Sequence, residues 1–387
     1  MKWATTILIF CVAVLSGLGM VMLYSSSMNM ETGKSALGPS HPVGASFLLS
    51  QLVWCFLGLI GCVAAASSDY RRVKKISPWV LGVAAVLLVL VFVPGIGVLR
   101  NGGRRWIGFG RLPHFQPSEL AKLALVLFLA FYGERYHRHM GGFKKGLLIP
   151  GCVALPVLAL IFFEPDRGCA ILLAAVCGVM LIVAGARLSL IIGPGLLLAG
   201  GLAVSFLHDP MRLRRIMAWI HPEQNKDGVG YQAYEAMIAL GTGGWFGLGL
   251  GNGRQKLGFI PEHHTDFIFS IIGEELGLVA TVAVLLLFIA LVACGIYIAR
   301  RSNDTFGLLM GTGITFMIGL QAFINMGVVT SLLPNKGMPL PFISYGGSNL
   351  LLMLVSVGFL LSIARFTSEP VERKANPFES APEKPHV

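Results

Sequence analysis

The sequence predicts an all-α integral membrane protein of about ten transmembrane helices, with a large extracytoplasmic loop between the seventh and eighth. Three observations predict it. Of 387 residues, 55% are hydrophobic and only 13% charged, so most of the chain cannot sit in water without aggregating. Apolar runs of roughly 20 residues, the length that crosses the hydrocarbon core, recur along it. Finally, lysines and arginines collect in alternate connections, as the positive-inside bias requires.

The first span, 5–24, follows Met1-Lys2-Trp3 and continues to Leu23 with no small-residue cleavage site, so it reads as a retained helix rather than a leader. A Gly/Ser/Pro-containing outside loop, 25–45, leads to spans 46–66 and 77–94. The turn between these holds Arg71, Arg72, Lys74 and Lys75 and is assigned to the cytoplasm. Spans 117–133 and 146–163 flank Arg135, Arg138, Lys144 and Lys145. Spans 168–184 and 188–206 flank Arg187, again inside. Span 266–299 is long enough to tilt or protrude. Spans 305–328 and 347–366 complete the set, with Arg300 and Arg301 before them and a basic tail after. Both termini are then cytoplasmic. The expected units are a membrane domain, 1–366, and a proline-rich, charged tail, 367–387, read as disordered. All seven cysteines fall inside the spans without C-x-x-C spacing, so they read as small apolar packers. There is no internal repeat and no inverted pair of broken helices of the transporter kind.

Two outside connections break the charge rule. Segment 95–116 carries Arg100, Arg104, Arg105 and Arg111; segment 207–265 carries Arg212, Arg214, Arg215, Lys226, Arg254 and Lys256. An anionic ligand outside accounts for such charges, as does attraction to anionic headgroups. Segment 207–265 opens with MRLRRIMAWIHPEQ, a short interfacial helix by its mixture of basic and apolar residues. It continues with an apolar half and dense glycine that reads as a dip toward the membrane, where backbone needs cover. The G-x-G patterns at 241–258 lack the strand and the Lys-Ser of nucleotide folds, but backbone N–H nests there can cradle a diphosphate.

Four stretches carry candidate chemistry. In PEHHTDFIF, Asp266 is expected in the first turn of the eighth span, with Thr265 or His264 as cap. An acidic residue at a helix start is ordinary, but Glu262, His263 and His264 precede it and Glu274 and Glu275 follow inside the span, where carboxylates are costly. Such an acid at an outward-facing mouth can serve as a general base on a hydroxyl. The two histidines lack a third ligand at metal-site spacing, so no metal is assigned. In NGGRRWIGFGRLPHFQPSELAKL, Pro117 and Ser118 mark a helix entrance. Glu119 and Lys122 lie three apart on one face, either as a structural pair or lining a polar cavity. Arg104, Arg105 and Trp106 suit a phosphate beside a sugar or lipid face, Trp106 being equally an interfacial anchor. FFEPDRG sets Glu164, Asp166 and Arg167 in a tight outside turn. LPNKGMPLPFISYGGSNL, with Lys336, Ser344 and Tyr345, holds three prolines and a glycine break, too rigid for an idle loop.

Together these stretches resemble the SEDS family of bacterial envelope proteins (shape, elongation, division and sporulation), over nearly all the chain except its tail. The run GLGNGRQKLGFIPEHHTDFIFSIIGEELG resembles division-type FtsW more than elongation-type RodA. The resemblance implies a ten-span peptidoglycan glycosyltransferase that polymerises lipid II, an undecaprenyl-diphosphate-linked disaccharide-pentapeptide, on the outer face of the cytoplasmic membrane at the division septum. It maps Asp266 as catalytic, Glu119, Lys122 and Asp166 as cavity residues, and Trp106 as substrate-side. Arg167 departs from the family pattern, which has an apolar residue there. A class B penicillin-binding transpeptidase, divisome proteins and membrane lipid are the implied partners, with no nucleic acid. No nucleotide or organic cofactor is called for because the donor arrives activated; a divalent cation stays open. The competing readings are a lipid II flippase, which would use Glu119, Lys122, Glu274 and Glu275 as a path, a RodA-type elongation polymerase, and a non-catalytic scaffold.

Overall fold

The computed structural model describes residues 1–27, 43–100, 103–108, 114–207, 210–221, 228, 230–256, 260 and 264–368. The tail expected at 367–387 lies, from residue 369 onward, outside the described residues. Every one of the ten apolar stretches is helical: α1 (Lys2–Ser27), α2 (Val43–Ser67), α3 (Tyr70–Val91), α4 (Pro117–Arg135), α5 (Ile149–Phe163), α6 (Arg167–Val183), α7 (Leu188–Leu207), α10 (Ile268–Arg300), α11 (Thr305–Val329) and α12 (Gly347–Ser368). Seven helices among the described residues are long and apolar enough to cross a membrane; the apolar helix at 167–183 is shorter. Segment 207–265 contains two helices, α8 (Pro210–Ile220) and α9 (Tyr231–Thr242).

Several expectations are corrected. The fold is not purely helical: β1 (Gly97–Arg100) and β2 (Gly103–Ile107) pair antiparallel, with Trp106 opposite Val98. α3 starts seven residues earlier than the hydropathy predicts, because Asp69 caps it by accepting from Arg71 N at 2.9 Å. The basic residues assigned to a turn therefore form its first turns. There Arg71 Nε pairs with Asp304 at 3.0 Å, tying α3 to the N-cap of α11. Lys144–Leu148 forms a π-helical turn ahead of α5.

Tight helix contacts rest on small residues, as expected where hydrocarbon gives no hydrophobic drive between helices. A Cβ on Gly58 of α2 would sit 2.7 Å from Leu354 and 3.2 Å from Leu351 Cα of α12.

The largest correction concerns α10. Its 33 residues would extend about 50 Å, well beyond a hydrocarbon core of roughly 30 Å. Gly277 breaks it at φ 78°, ψ −174°. The glycine-rich segment after α9 occupies the break. Leu248 N donates to Glu274 O at 2.9 Å, Gly249 N to Glu275 O at 3.0 Å, and Leu278 N to Gly244 O at 2.9 Å. Side chains at Gly247 or Gly277 would collide with the facing backbone, so both positions require glycine for approach as well as for φ. The same segment consumes the two carboxylates that had looked like a path through the membrane. Glu274 accepts from Arg254 N at 2.7 Å and Gln255 N at 3.2 Å. Glu275 accepts from Gly251 N, Gly253 N, Ser25 Oγ and Lys256 Nζ, the last at 2.7 Å with both side chains fully buried. The N–H nest expected to hold a diphosphate thus holds the protein's own carboxylates. Breaking a buried pair leaves an uncompensated charge. Lys256→Met is therefore expected to destabilise the protein by about 3–5 kcal/mol, read as a lowered Tm in detergent.

Candidate functional site

The connection between α11 and α12, residues 330–346, turns inward, and its middle is buried: Met338, Leu340, Phe342 and Ile343 are almost inaccessible. Buried backbone needs partners, and amides on the helices supply them. Asn325 of α11 donates through Nδ2 to Met338 O at 2.6 Å and to Asp266 O at 2.8 Å. One turn earlier, Gln321 donates to Pro339 O at 2.9 Å. Ser344 Oγ accepts from Leu340 N at 2.7 Å and donates to Thr265 O at 2.6 Å. Tyr345 N donates to His264 O at 3.0 Å, and the His264 ring lies 5.3 Å from Phe47 and 6.0 Å from Tyr345. Gln51 of α2 bonds Ser344 O at 3.2 Å and Gly346 N at 3.3 Å. Through these bonds the loop clamps the 264–266 turn to the bundle.

Asp266 does not lie in the first turn of α10. The helix begins at Ile268 with Phe267 as N-cap and no side-chain cap, so neither His264 nor Thr265 plays that role. Asp266 sits in the preceding turn, half-buried, its carboxylate against Gly337. The next residue back, Lys336, reaches α6: a Cβ on Gly168 would lie 3.4 Å from Lys336 Cε. Asp166 is the N-cap of α6, accepting from Cys169 N at 3.2 Å and from Gln116 Nε2 at 3.3 Å. Burial pulls the Lys336 amine down to about 8, with Asp166 opposing the shift by attraction.

Glu119 and Lys122 complete this polar interior. Lys122 Nζ lies 2.8 Å from Glu119 Oε2 and 2.8 Å from Gln321 Oε1, while Asn349 of α12 donates to Glu119 at 2.9 Å. Both side chains are buried, 5% and 2% exposed, so the pair is fully desolvated and held by amides from two further helices.

The strand pair lies beside the turn at 164–166. Arg105 donates to Glu164 O at 3.2 Å and Pro165 O at 2.8 Å, so two of its five N–H donors hold the 164–166 turn. Arg104 makes one long bond, 3.5 Å, to Phe92 O. Trp106 is half-buried on β2. The Arg167 guanidinium packs over Phe162, 5.0 Å from the ring centre. Glu164 is wholly buried, neither carboxylate oxygen has a hydrogen-bond partner among the described residues, and burial with the neighbouring Asp166 pushes it up to about 8.

Asp266, Lys336, Asp166, Glu119 and Lys122 are therefore joined through one loop, with Ser344, Thr265, His264 and Tyr345 as its fastenings. Sequence reasoning missed Gln321, Asn325, Asn349, Gln51 and Gln116. The signal is present in Gln321 and Asn325, two amides four residues apart in an apolar run. His263 and Glu262 lie outside the described residues. No cluster of three or more metal-ligating side chains occurs among the described residues.

A broken apolar helix, a buried inter-helix loop and a desolvated ion pair mark a polytopic membrane protein with a buried polar cluster inside its helix bundle. The FtsW/RodA/SpoVE family model, described as "Cell cycle protein", matches residues 5–369, and the chain belongs to that family. It is 41% identical over 360 residues to a probable peptidoglycan glycosyltransferase FtsW of Trichlorobacter lovleyi, covering 92% of each chain. It is 37% identical to stage V sporulation protein E of Bacillus subtilis, covering 93% of this chain and 97% of that protein. Among solved structures, one described as "Structural coordination of polymerization and crosslinking by a peptidoglycan synthase complex" superposes with a TM-score of 0.71 at 28% identity, covering 94% and 98% of the two chains. RodA of Thermus thermophilus superposes with a TM-score of 0.66 at 28% identity, covering 94% and 97%.

Removing one partner of the buried pair strands the other. Lys122→Met is expected to cost about 3–5 kcal/mol, and Glu119→Leu/Lys122→Met to recover most of that loss in a Tm measurement. For Lys336, the ammonium proton is lost in the folded protein near pH 8 but in the unfolded chain only near its ordinary ~10.4. Between these values the unfolded state holds more protons, so stability rises with pH. Thermal unfolding from pH 8 to 10 is expected to show this rise in the parent and lack it in Lys336→Met.

Proposed function

We propose that this protein is a peptidoglycan glycosyltransferase that polymerises lipid II, with Asp266 as general base on the acceptor sugar. The observation that carries the mechanism is the placement of Asp266 and Lys336 on two sides of one loop tip, with Gly337 against the carboxylate and Lys336 beside the α6 N-terminus. The relatives named as glycosyltransferases supply the reaction class. Asp266 takes the proton of an acceptor hydroxyl, whose oxygen bonds the donor's anomeric carbon as the bond from that carbon to undecaprenyl diphosphate breaks. The diphosphate departs with the electron pair. Lys336, cationic below about pH 8, stabilises that charge, with Arg104 at the rim. Glu119 and Lys122 hold α4, α11 and α12 together beneath the reacting groups and fix the loop through Gln321.

The topology that fits this chemistry is a ten-span domain, 1–366, with both termini cytoplasmic, segment 207–265 outside and the 367–387 tail inside. The partner is a single-span class B transpeptidase, in line with the synthase complex that superposes on this chain. Identities of 41% to an FtsW and 28% to RodA favour a role at the division septum, with other divisome proteins, over elongation. A flippase path through Glu274 and Glu275 is disfavoured because both carboxylates are spent on Lys256 and the glycine segment.

The test is the purified chain with its transpeptidase in detergent, given labelled lipid II and read for glycan strands on a gel. Flipping has no meaning there, so polymer reports catalysis. Asp266→Asn is expected to lower polymerisation at least about 100-fold while Tm holds. Undiminished polymer would remove Asp266 from the role of base, and no polymer from the parent would favour transport or scaffolding.

A further inference from the structure

We infer that Gly337 is a positioning residue for the reaction, its missing side chain being what lets the Asp266 carboxylate take its place. The inference rests on the reading of Asp266 as base and adds what sets that base's location. Glycine commonly serves where the backbone is left-handed, but Gly337 is absent from the positive-φ glycines, so an L-residue fits its backbone. What excludes a side chain is contact. Among the described residues, the only atoms within 4 Å of a Cβ placed there belong to Asp266: Oδ2, far inside contact distance, and Cγ at 3.3 Å. The residue is otherwise exposed.

This geometry separates function from folding with unusual clarity. Among the described residues, and its own chain neighbours apart, a methyl at 337 meets only the end of the Asp266 side chain. Rotation about the side-chain bonds of Asp266 relieves the clash and moves the carboxylate off its position. The backbone on both sides is fixed, Asp266 O by Asn325 at 2.8 Å and Met338 O by the same amide at 2.6 Å, so the main chain does not follow to compensate. A displacement of about 1 Å at a reacting group costs on the order of 100-fold in rate.

The experiment uses the full chain with its transpeptidase in detergent, labelled lipid II as probe, and Gly337→Ala, Gly337→Val and Asp266→Asn compared with the parent. Gly82→Ala, where a Cβ meets nothing within 4 Å, is the control. Gly337→Ala is expected to lower kcat about 10- to 100-fold with KM and Tm as in the control, and Gly337→Val to lower kcat further. A kcat equal to the control, a change in KM alone, or a loss that merely follows a lowered folded fraction would overturn the inference. Should Gly337→Ala lower Tm, Asp266→Ala/Gly337→Ala decides: recovered Tm supports the contact, and unrecovered Tm overturns it. If Asp266→Asn is inactive while Gly337→Ala behaves as the parent, this inference alone fails. If Asp266→Asn retains full activity, the base assignment fails and takes the inference with it.

Discussion

Irregular backbone inside a helical membrane protein has to find hydrogen-bond partners in the protein itself, and the whole site depends on how the 330–346 loop meets that demand. Four amide and hydroxyl side chains, Asn325, Gln321, Ser344 and Gln51, answer it. Because three of them, Asn325, Gln321 and Ser344, bond a second element as well, satisfying the loop also fixes the surroundings of Asp266. Asn325 seizes Asp266 O, and Gln321 turns its oxygen to Lys122 once its nitrogen is given to Pro339 O. The buried polar cluster is thus a by-product of burying a loop, and Lys122, paired with Glu119, is oriented by Gln321, which also holds the loop.

The helical stretches were legible in the sequence because apolar length is a strong signal read over about 20 residues at a time. The candidate residues were legible through composition: acids and bases stand out in an oily chain, and Glu119 with Lys122 at a three-residue spacing could be paired without any structure. The strands at 97–107 were not legible, being short, glycine-flanked and read only for their arginines. Charge alone also gave no sign that Arg105 bonds the backbone of the 164–166 turn, because a guanidinium satisfies backbone carbonyls as readily as phosphate. Neutral amides in apolar runs carry as much positional information as ionisable groups, and Asn325 touches Asp266 where no charged residue had been expected to.

Glu274 and Glu275 show why an acid in a hydrophobic run is an incomplete clue. Their cost is offset locally, by N–H groups of a glycine-rich segment and one buried lysine. Nothing in composition separates such an acid from a reacting one. What separates them is how many donors converge, and glycine density some 20 residues upstream was the visible trace of those donors.

The break at Gly277 leaves Ile268–Leu276 as a stub about 13 Å long. An unbroken helix would lock every residue into one angular phase of 100° per step, so the face turned to hydrocarbon by the long arm would dictate the bearing of everything at its tip. Interrupting it frees the two ends to be aimed separately: lipid selects the rotation of the long arm, and the bonds to residues 244–255 select that of the stub. The chain can therefore change its outer surface residue by residue without swinging the acid off its mark.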